Sequence, residues 1–356
     1  MTPRRLVAAL FACFVLLPPP TATAEIGFAP VDVTVRPFSR FALASDQTRF
    51  GDLEFLGGLQ LVSSDRRFGS FSGLDFGPDG HTLHAVADTG FWFAATLIET
   101  DGHPTGIARP LLAPMLDPRG QRYTYKGAAD AEGLRIVSRD GRDTAYVAFE
   151  QRPAVGRFAA APDFAAARRN DIALPKFVSR LPGNKGLEAI AVAPAGAPLA
   201  GTTVLIAEDA LDGARNHRGF IVGGRRAGTF SLKRTAPFDV ADAAFLPDGD
   251  LLVLERSFSF SEGFGMRIRR IPGAAIRPGA TVDGPVLIAA DMGDQIDNME
   301  GLAIRTDPAG RTILTLISDD NGNGPLQRTI LLQFALDAAA QQVQPAPPLP
   351  RPRPAG

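Results

Sequence analysis

Five stretches of this chain begin alike: "FSGLDFGPDGHTLHAVADTG" from Phe71, "AEGLRIVSRDGRDTAYVAFEQR" from Ala131, "LEAIAVAPAGAPLAGTTVLIAEDA" from Leu187, "ADAAFLPDGDLLVLERSF" from Ala241 and "MEGLAIRTDPAGRTILTLISDDN" from Met299. Each reads as a short strand, a turn, an apolar strand and then an acidic residue. Their starts fall roughly 55 to 60 residues apart, somewhat longer than the roughly 40 to 50 of four-stranded propeller blades. Further strand-like runs lie between them, such as "VGRFAA" and "DIALP" after the second and "MRIRRIP" and "VLIAA" after the fourth. Long amphipathic helical patterns are absent. The chain is therefore expected to be all-β, a β-propeller of five four-stranded blades whose edges are short and protected.

The fifth repeat runs out after "TILLQFAL" with only three strands, while "DLEFLGGLQLV" (52–62) stands alone before the first. Ring closure follows, with the N-terminal strand completing the last blade. A sixth, degenerate blade around "VDVTVRPF" is one alternative, and a β-sandwich, which needs no regular repeat, is another.

Outside the repeats the sequence changes character. Arg4 and Arg5 precede an apolar run from Leu6 to Leu17, a proline cluster and Ala22-Thr23-Ala24, the pattern of a secretory signal peptide over residues 1–24. The run is too short for a membrane span, so the mature form is expected to have none and to be periplasmic or secreted. Cleavage removes Cys13, the only cysteine, and takes the net charge from −1 to −3. Thiolate metal sites and thiol nucleophiles are excluded with it, and the charge offers no nucleic-acid footprint. Residues 30–336 read as one domain, and the Ala-, Gln- and Pro-rich segment 337–356 as a disordered tail.

The repeat also places chemistry. Before the apolar pair of the first strand stand Ser72, Glu132, Glu188, Asp242 and Glu300; ending the second strand stand Asp88, Glu150, Glu208, Glu255 and Asp319. Adjacent strands of a blade are antiparallel, so both sets are expected at one mouth of the central channel. Converging carboxylates repel unless a cation sits among them. Arg152, Lys185 and Arg256 stand beside these positions, and calcium, which takes several oxygen ligands, is the other candidate. The structural alternative is that the acids hydrogen-bond backbone N–H groups and arginines, fastening blade to blade. "SDDNGNG" (318–324) resembles the first half of an EF-hand loop, but Ile330 stands where the bidentate Glu belongs. There is no G-x-S-x-G elbow, no H-E-x-x-H pair and no P-loop. Of four histidines, only His217 in "RNHRG" has a site-like setting, against the reading of a solvated loop.

"SGLDF", "GNKGLEAIAV", "LLVLERSF" with "MRIRRI", and "DNMEGLAI" followed by "LISDDN" resemble, in that order, the phytase-like domain described as esterase-like activity of phytase, over roughly residues 50 to 336. The fourth repeat departs from the pattern with "VADAAF", and Ala189 replaces the glycine after Glu188. The resemblance implies a propeller, export, and hydrolysis of phosphate or carboxylic esters of small molecules. On this reading Glu132, Glu188, Glu300 and Asp319 hold Ca²⁺, while Lys185, Arg152 and Arg256 neutralise charge on the substrate. A calcium-dependent lactonase and a non-catalytic binding module with structural acidic rings are the alternatives.

Overall fold

The computed structural model describes residues 27–337 apart from 161–163, 180, 182–185 and 325. The expected leader with Cys13, the tail from residue 338 and Lys185 lie outside the described residues.

Four strands precede the first repeat: β1 (Ala29–Pro30), β2 (Thr34–Phe38), β3 (Arg49–Phe50) and β4 (Leu53–Val62). Blade one is β5 (Phe71–Phe76), β6 (Thr82–Ala87), β7 (Phe91–Thr100) and β8 (His103–Pro114), with β1 on its outer edge. Blade two is β9 (Ala131–Arg139), β10 (Arg142–Phe149), β11 (Ala154–Ala160) and β12 (Asn170–Asp171). Blade three is β13 (Leu187–Val192), β14 (Thr203–Leu211), β15 (His217–Val222) and β16 (Gly228–Leu232). Blade four is β17 (Asp239–Phe245), β18 (Leu251–Ser259), β19 (Gly263–Ile271) and, after β20 (Thr281–Val282) has crossed to pair in parallel with β16, β21 (Val286–Ala290). Blade five is β22 (Asn298–Thr306), β23 (Thr312–Asp319) and β24 (Thr329–Leu336), completed by β4, with β2 beyond it.

The ring closes as expected: β4 pairs antiparallel with β24, so the N-terminal strand is the fourth strand of the last blade. "VDVTVRPF" forms no sixth blade, since its strand β2 adds to the outer edge of β4. The five inner strands β5, β9, β13, β17 and β22 each contact the next, and β22 returns to β5. Apolar side chains fill the space between neighbouring blades. The largest cluster, between blades four and five, includes Leu254, Ile268, Leu302 and Phe334, all fully buried.

The first two strands of three blades are joined by acid-started turns on the face away from the mouth. Asp79 Oδ1 accepts from the N–H groups of His81 and Thr82 at 2.9 and 2.8 Å, and Asp307 Oδ1 from those of Ala309 and Arg311 at 3.0 and 2.8 Å. Asp248 Oδ1 likewise accepts from Asp250 N–H at 2.9 Å. Gly80 and Gly310 take φ of 69° and 80°, a region open to glycine at little cost.

A buried ion pair links the inner strands. Arg135 on β9 reaches Asp242 on β17 at 3.0 Å and donates to the Leu74 carbonyl on β5 at 3.1 Å. Asp242 also accepts from Leu302 N–H on β22 at 2.9 Å. Four of the five inner strands are thereby joined through two buried side chains.

Candidate functional site

Every inner strand carries a β-bulge at the same place. Pairing of β5 with β6 skips from Phe71 to Gly73, of β10 with β9 from Gly133 to Ala131, of β13 with β14 from Leu187 to Ala189, of β17 with β18 from Val240 to Asp242, and of β22 with β23 from Met299 to Gly301. A bulge leaves one residue outside the ladder and turns its side chain away from the ordinary alternation. Those residues are Ser72, Glu132, Glu188, Ala241 and Glu300. On each second strand, the residue that follows the partner of the one just before the bulge is Asp88, Glu150, Glu208, Arg256 and Asp319.

This corrects the fourth repeat by one residue. "VADAAF", aligned from Val240, puts Ala241 at the acidic position and Asp242 at the position of Gly73, Gly133 and Gly301. Asp242 is fully buried and serves Arg135, Leu302 and Ala243; burial pushes its pKa up to about 7, against the pull of Arg135 and those N–H groups. Glu255, also fully buried, accepts from Arg267 at 2.6 Å and from Arg269 at 2.6 and 2.7 Å within its own blade. In blade four the structural alternative holds, and the mouth there receives an arginine.

The other members converge as expected. Ser72, Glu132, Glu188, Glu300, Asp88, Glu150, Glu208, Asp319 and Arg256 line one cavity of about 520 Å³ at the channel mouth, together with Lys126, Asp130, Asn298, Asn321, Phe258 and Phe264. Among the described residues, eight carboxylates face two cations, an excess of six negative charges if all ionise. Lys126, in the single-turn α1 (Lys126–Ala129), pairs with Asp88. Arg256 lies 2.9 Å from Glu300 and 3.2 Å from Glu208, bridging blades three and five across blade four, which lends the mouth no acid. Asn298 Nδ2 donates to Glu300 at 2.8 Å.

Within the mouth, ligand oxygens of Asp130, Glu132 and Glu150 all lie within 4.8 Å of one another. Oxygens on opposite sides of a calcium ion, each at about 2.3–2.6 Å, lie about 5 Å apart, so this trio can share one ion. Asp130 ends α1 and Glu132 is the bulge residue two positions on, so both point into the mouth. Two further observations fit a cation there. Asp88 Oδ1 is buried with no hydrogen-bond partner, and the titration of the acids is displaced upward throughout. Burial, then the charges of Asp130 and Glu300, hold Glu132 well above the ordinary range, and burial with Glu132 and Glu208 does the same to Glu188. Glu150 is pushed up to about 7 by burial and Asp130, and Asp319 to about 7 by burial, although Asn321 N–H donates to it at 2.6 Å.

The residues expected to bind metal and substrate are only partly brought together. Glu132, Glu188, Glu300 and Asp319 share the mouth, but only Glu132 belongs to the tightest trio. Arg152 lies in an adjoining groove, where it donates to Tyr125 Oη at 3.0 Å, and that groove meets the mouth at Gln151. The "SDDNGNG" loop forms no EF-hand. Asp319 and Asn321 face the mouth, Asp320 instead accepts from Ser70 N–H in blade one at 3.0 Å, and Ile330 is buried within β24. His217 is fully buried on β15, its Nδ1 2.6 Å from the Glu208 carbonyl, and burial lowers its pKa. The residue pattern alone missed Asp130, Lys126, Asn298, Phe258 and Phe264. Of these only Asn298 was findable, since "DNMEGLAI" places it two residues before Glu300 on one strand.

A family model with the description "Phytase-like: Esterase-like activity of phytase" matches residues 66–322. A search among curated proteins found no match. Among solved structures, a thermostable family-43 glycoside hydrolase is 9% identical with a TM-score of 0.44, covering 78% of this chain and 95% of its own. A Saccharomyces cerevisiae assembly of Dbp5 bound to Nup159, Gle1, IP6 and ADP is 12% identical with a TM-score of 0.36, covering 82% of this chain and 96% of that one. A Thermus thermophilus chain titled as a putative oxidoreductase (glucose dehydrogenase) is 14% identical with a TM-score of 0.33, over 84% of this chain and 100% of its own. All three are loose similarities.

Proposed function

The chain belongs to the phytase-like family, and from that premise we propose that it is an exported, calcium-dependent hydrolase of phosphate or carboxylic esters. The observation that carries this is the mouth itself: eight converging carboxylates, both of its described cations already paired, and a trio spaced to share one ion. Asp130, Glu132 and Glu150 would hold the calcium, with Glu188 and Glu300 completing the acidic wall. Bound there, calcium would polarise a substrate oxygen and lower the pKa of a water.

The chain's own groups would do the rest. Arg256, anchored by Glu300 and Glu208, sets positive charge on the blade-four side, where it steadies an oxyanion. Asp319, on blade five and titrating near neutrality, is suited to take a proton from the attacking water. Asn298 fixes the Glu300 carboxylate. Export rests on the leader pattern of residues 1–24 and on Cys13 being the only cysteine. Among the described residues no helix is long and apolar enough to cross a membrane.

The test is hydrolysis of a phosphomonoester, an aryl ester and a lactone by purified protein with calcium, with chelator, and with calcium restored. Turnover of at least one class that chelator abolishes and calcium restores is expected. Turnover indifferent to chelator would remove the metal from the mechanism; no turnover of any class would leave a binding module.

A further inference from the structure

Blade four breaks the symmetry of the mouth. Where four blades supply a carboxylate opposite the bulge, blade four supplies Arg256, and its bulge residue is Ala241. There β18 runs on past Arg256 to Ser259 and returns as β19 from Gly263, so a hairpin stands beyond the mouth position. Two of its phenylalanines, Phe258 and Phe264, line the same cavity as the acids, with ring centroids 4.9 Å apart. Phe258 is 50% exposed, an apolar surface facing a wet, charged cavity. Exposed aromatic surface beside convergent polar groups is how small-molecule sites hold the unreactive part of a ligand.

The charge balance points the same way. Lys126 is held by Asp88, and Arg256 by Glu300 and Glu208, so beyond the one oxyanion at the reacting centre neither described cation lining the mouth is free for a second anionic group. Counted fully ionised, the acids exceed these cations by six charges, more than one divalent ion neutralises. A polyphosphorylated ligand would meet net repulsion there. We propose that the Phe258–Phe264 wall is a subsite for an apolar aryl or alkyl group, and that the substrate class is a neutral or singly charged ester bearing such a group. The inference rests on the hydrolase reading for its reacting centre, while the wall binds with or without turnover.

Binding of non-hydrolysable probes by calorimetry in calcium at pH 6, where each phosphonate is mostly singly charged, tests it: phenylphosphonate, methylphosphonate and inositol hexakisphosphate against the full chain. Phenylphosphonate is expected to bind about tenfold more tightly than methylphosphonate, about 1.4 kcal/mol, and more tightly than inositol hexakisphosphate. Phe258→Ala should bring the phenyl-to-methyl ratio close to one with methylphosphonate affinity unchanged, Phe258→Leu should keep most of the preference, and Ile98→Ala, an exposed apolar residue on β7 away from the mouth, should leave it intact. Equal phosphonate affinities, a ratio untouched by Phe258→Ala, tightest binding of inositol hexakisphosphate, or no binding of either phosphonate would each overturn the proposal. Ester hydrolysis without the phenyl preference would sink the subsite alone, and the preference without hydrolysis would sink the hydrolase reading alone.

Discussion

In the absence of metal, this propeller should lose stability as pH rises from about 4 to about 7, the reverse of ordinary acid denaturation. Folding raises Glu150 from 4.5 to about 7 and Asp319 from 3.8 to about 7. A carboxyl with a raised folded-state pKa binds more protons folded than unfolded in that window. Its contribution is thus fully present below the unfolded pKa and lost as pH climbs through the folded one. At about 1.4 kcal/mol per pH unit, the two groups together give an upper figure of about 8 kcal/mol. Glu150 is only half-buried at the lip and the acids titrate as a set, which brings the expected loss to about 4 kcal/mol. For a chain of this size that lowers Tm by about 6 °C. Thermal unfolding followed by circular dichroism in chelator between pH 4.5 and 7.5 reads this directly, and the fall should vanish in saturating calcium. A Tm in chelator that rises or stays level across that range would refute the reasoning.

Three further perturbations probe separate parts of the structure. Asp242→Ala leaves Arg135 buried without its carboxylate and should cost about 3–5 kcal/mol in urea unfolding, with calcium giving no rescue because the pair lies off the mouth. Arg256→Gln frees Glu208 and Glu300 to repel; it should cost about 2 kcal/mol without metal and enlarge the rise in Tm that calcium produces. Deleting residues 1–62 removes β4 and leaves β24 as an open edge; the truncated chain should lose its cooperative transition and self-associate, seen by calorimetry and size exclusion.

The blade count and the closing strand were legible because both rest on period: strand–turn–strand units recur, and the strand missing at one end of the chain is present at the other. The mouth was legible for the same reason in blades one, two, three and five. It failed in blade four because Asp242 and Glu255 offered a plausible acid one residue from each true position. Alignment by residue type could not see which residue the bulge skips, whereas the hydrogen-bond register can. Asp130 and Lys126 escaped because they precede the repeat, on a single-turn helix that no periodicity announces. Phe258 and Phe264 read as ordinary strand residues, and only the hairpin's extension past the mouth brings them to the cavity.

The central claim is that the acidic mouth is a metal site. Isothermal titration of calcium into chelator-stripped protein at pH 7.5 measures it most directly, with Glu132→Gln alongside the parent chain. Saturable binding that releases protons from the acids with raised pKa, and that Glu132→Gln weakens at least tenfold, is the result predicted. No heat of binding in the parent chain, or binding indifferent to Glu132→Gln, would contradict it and leave the ring of carboxylates as a fastening between blades.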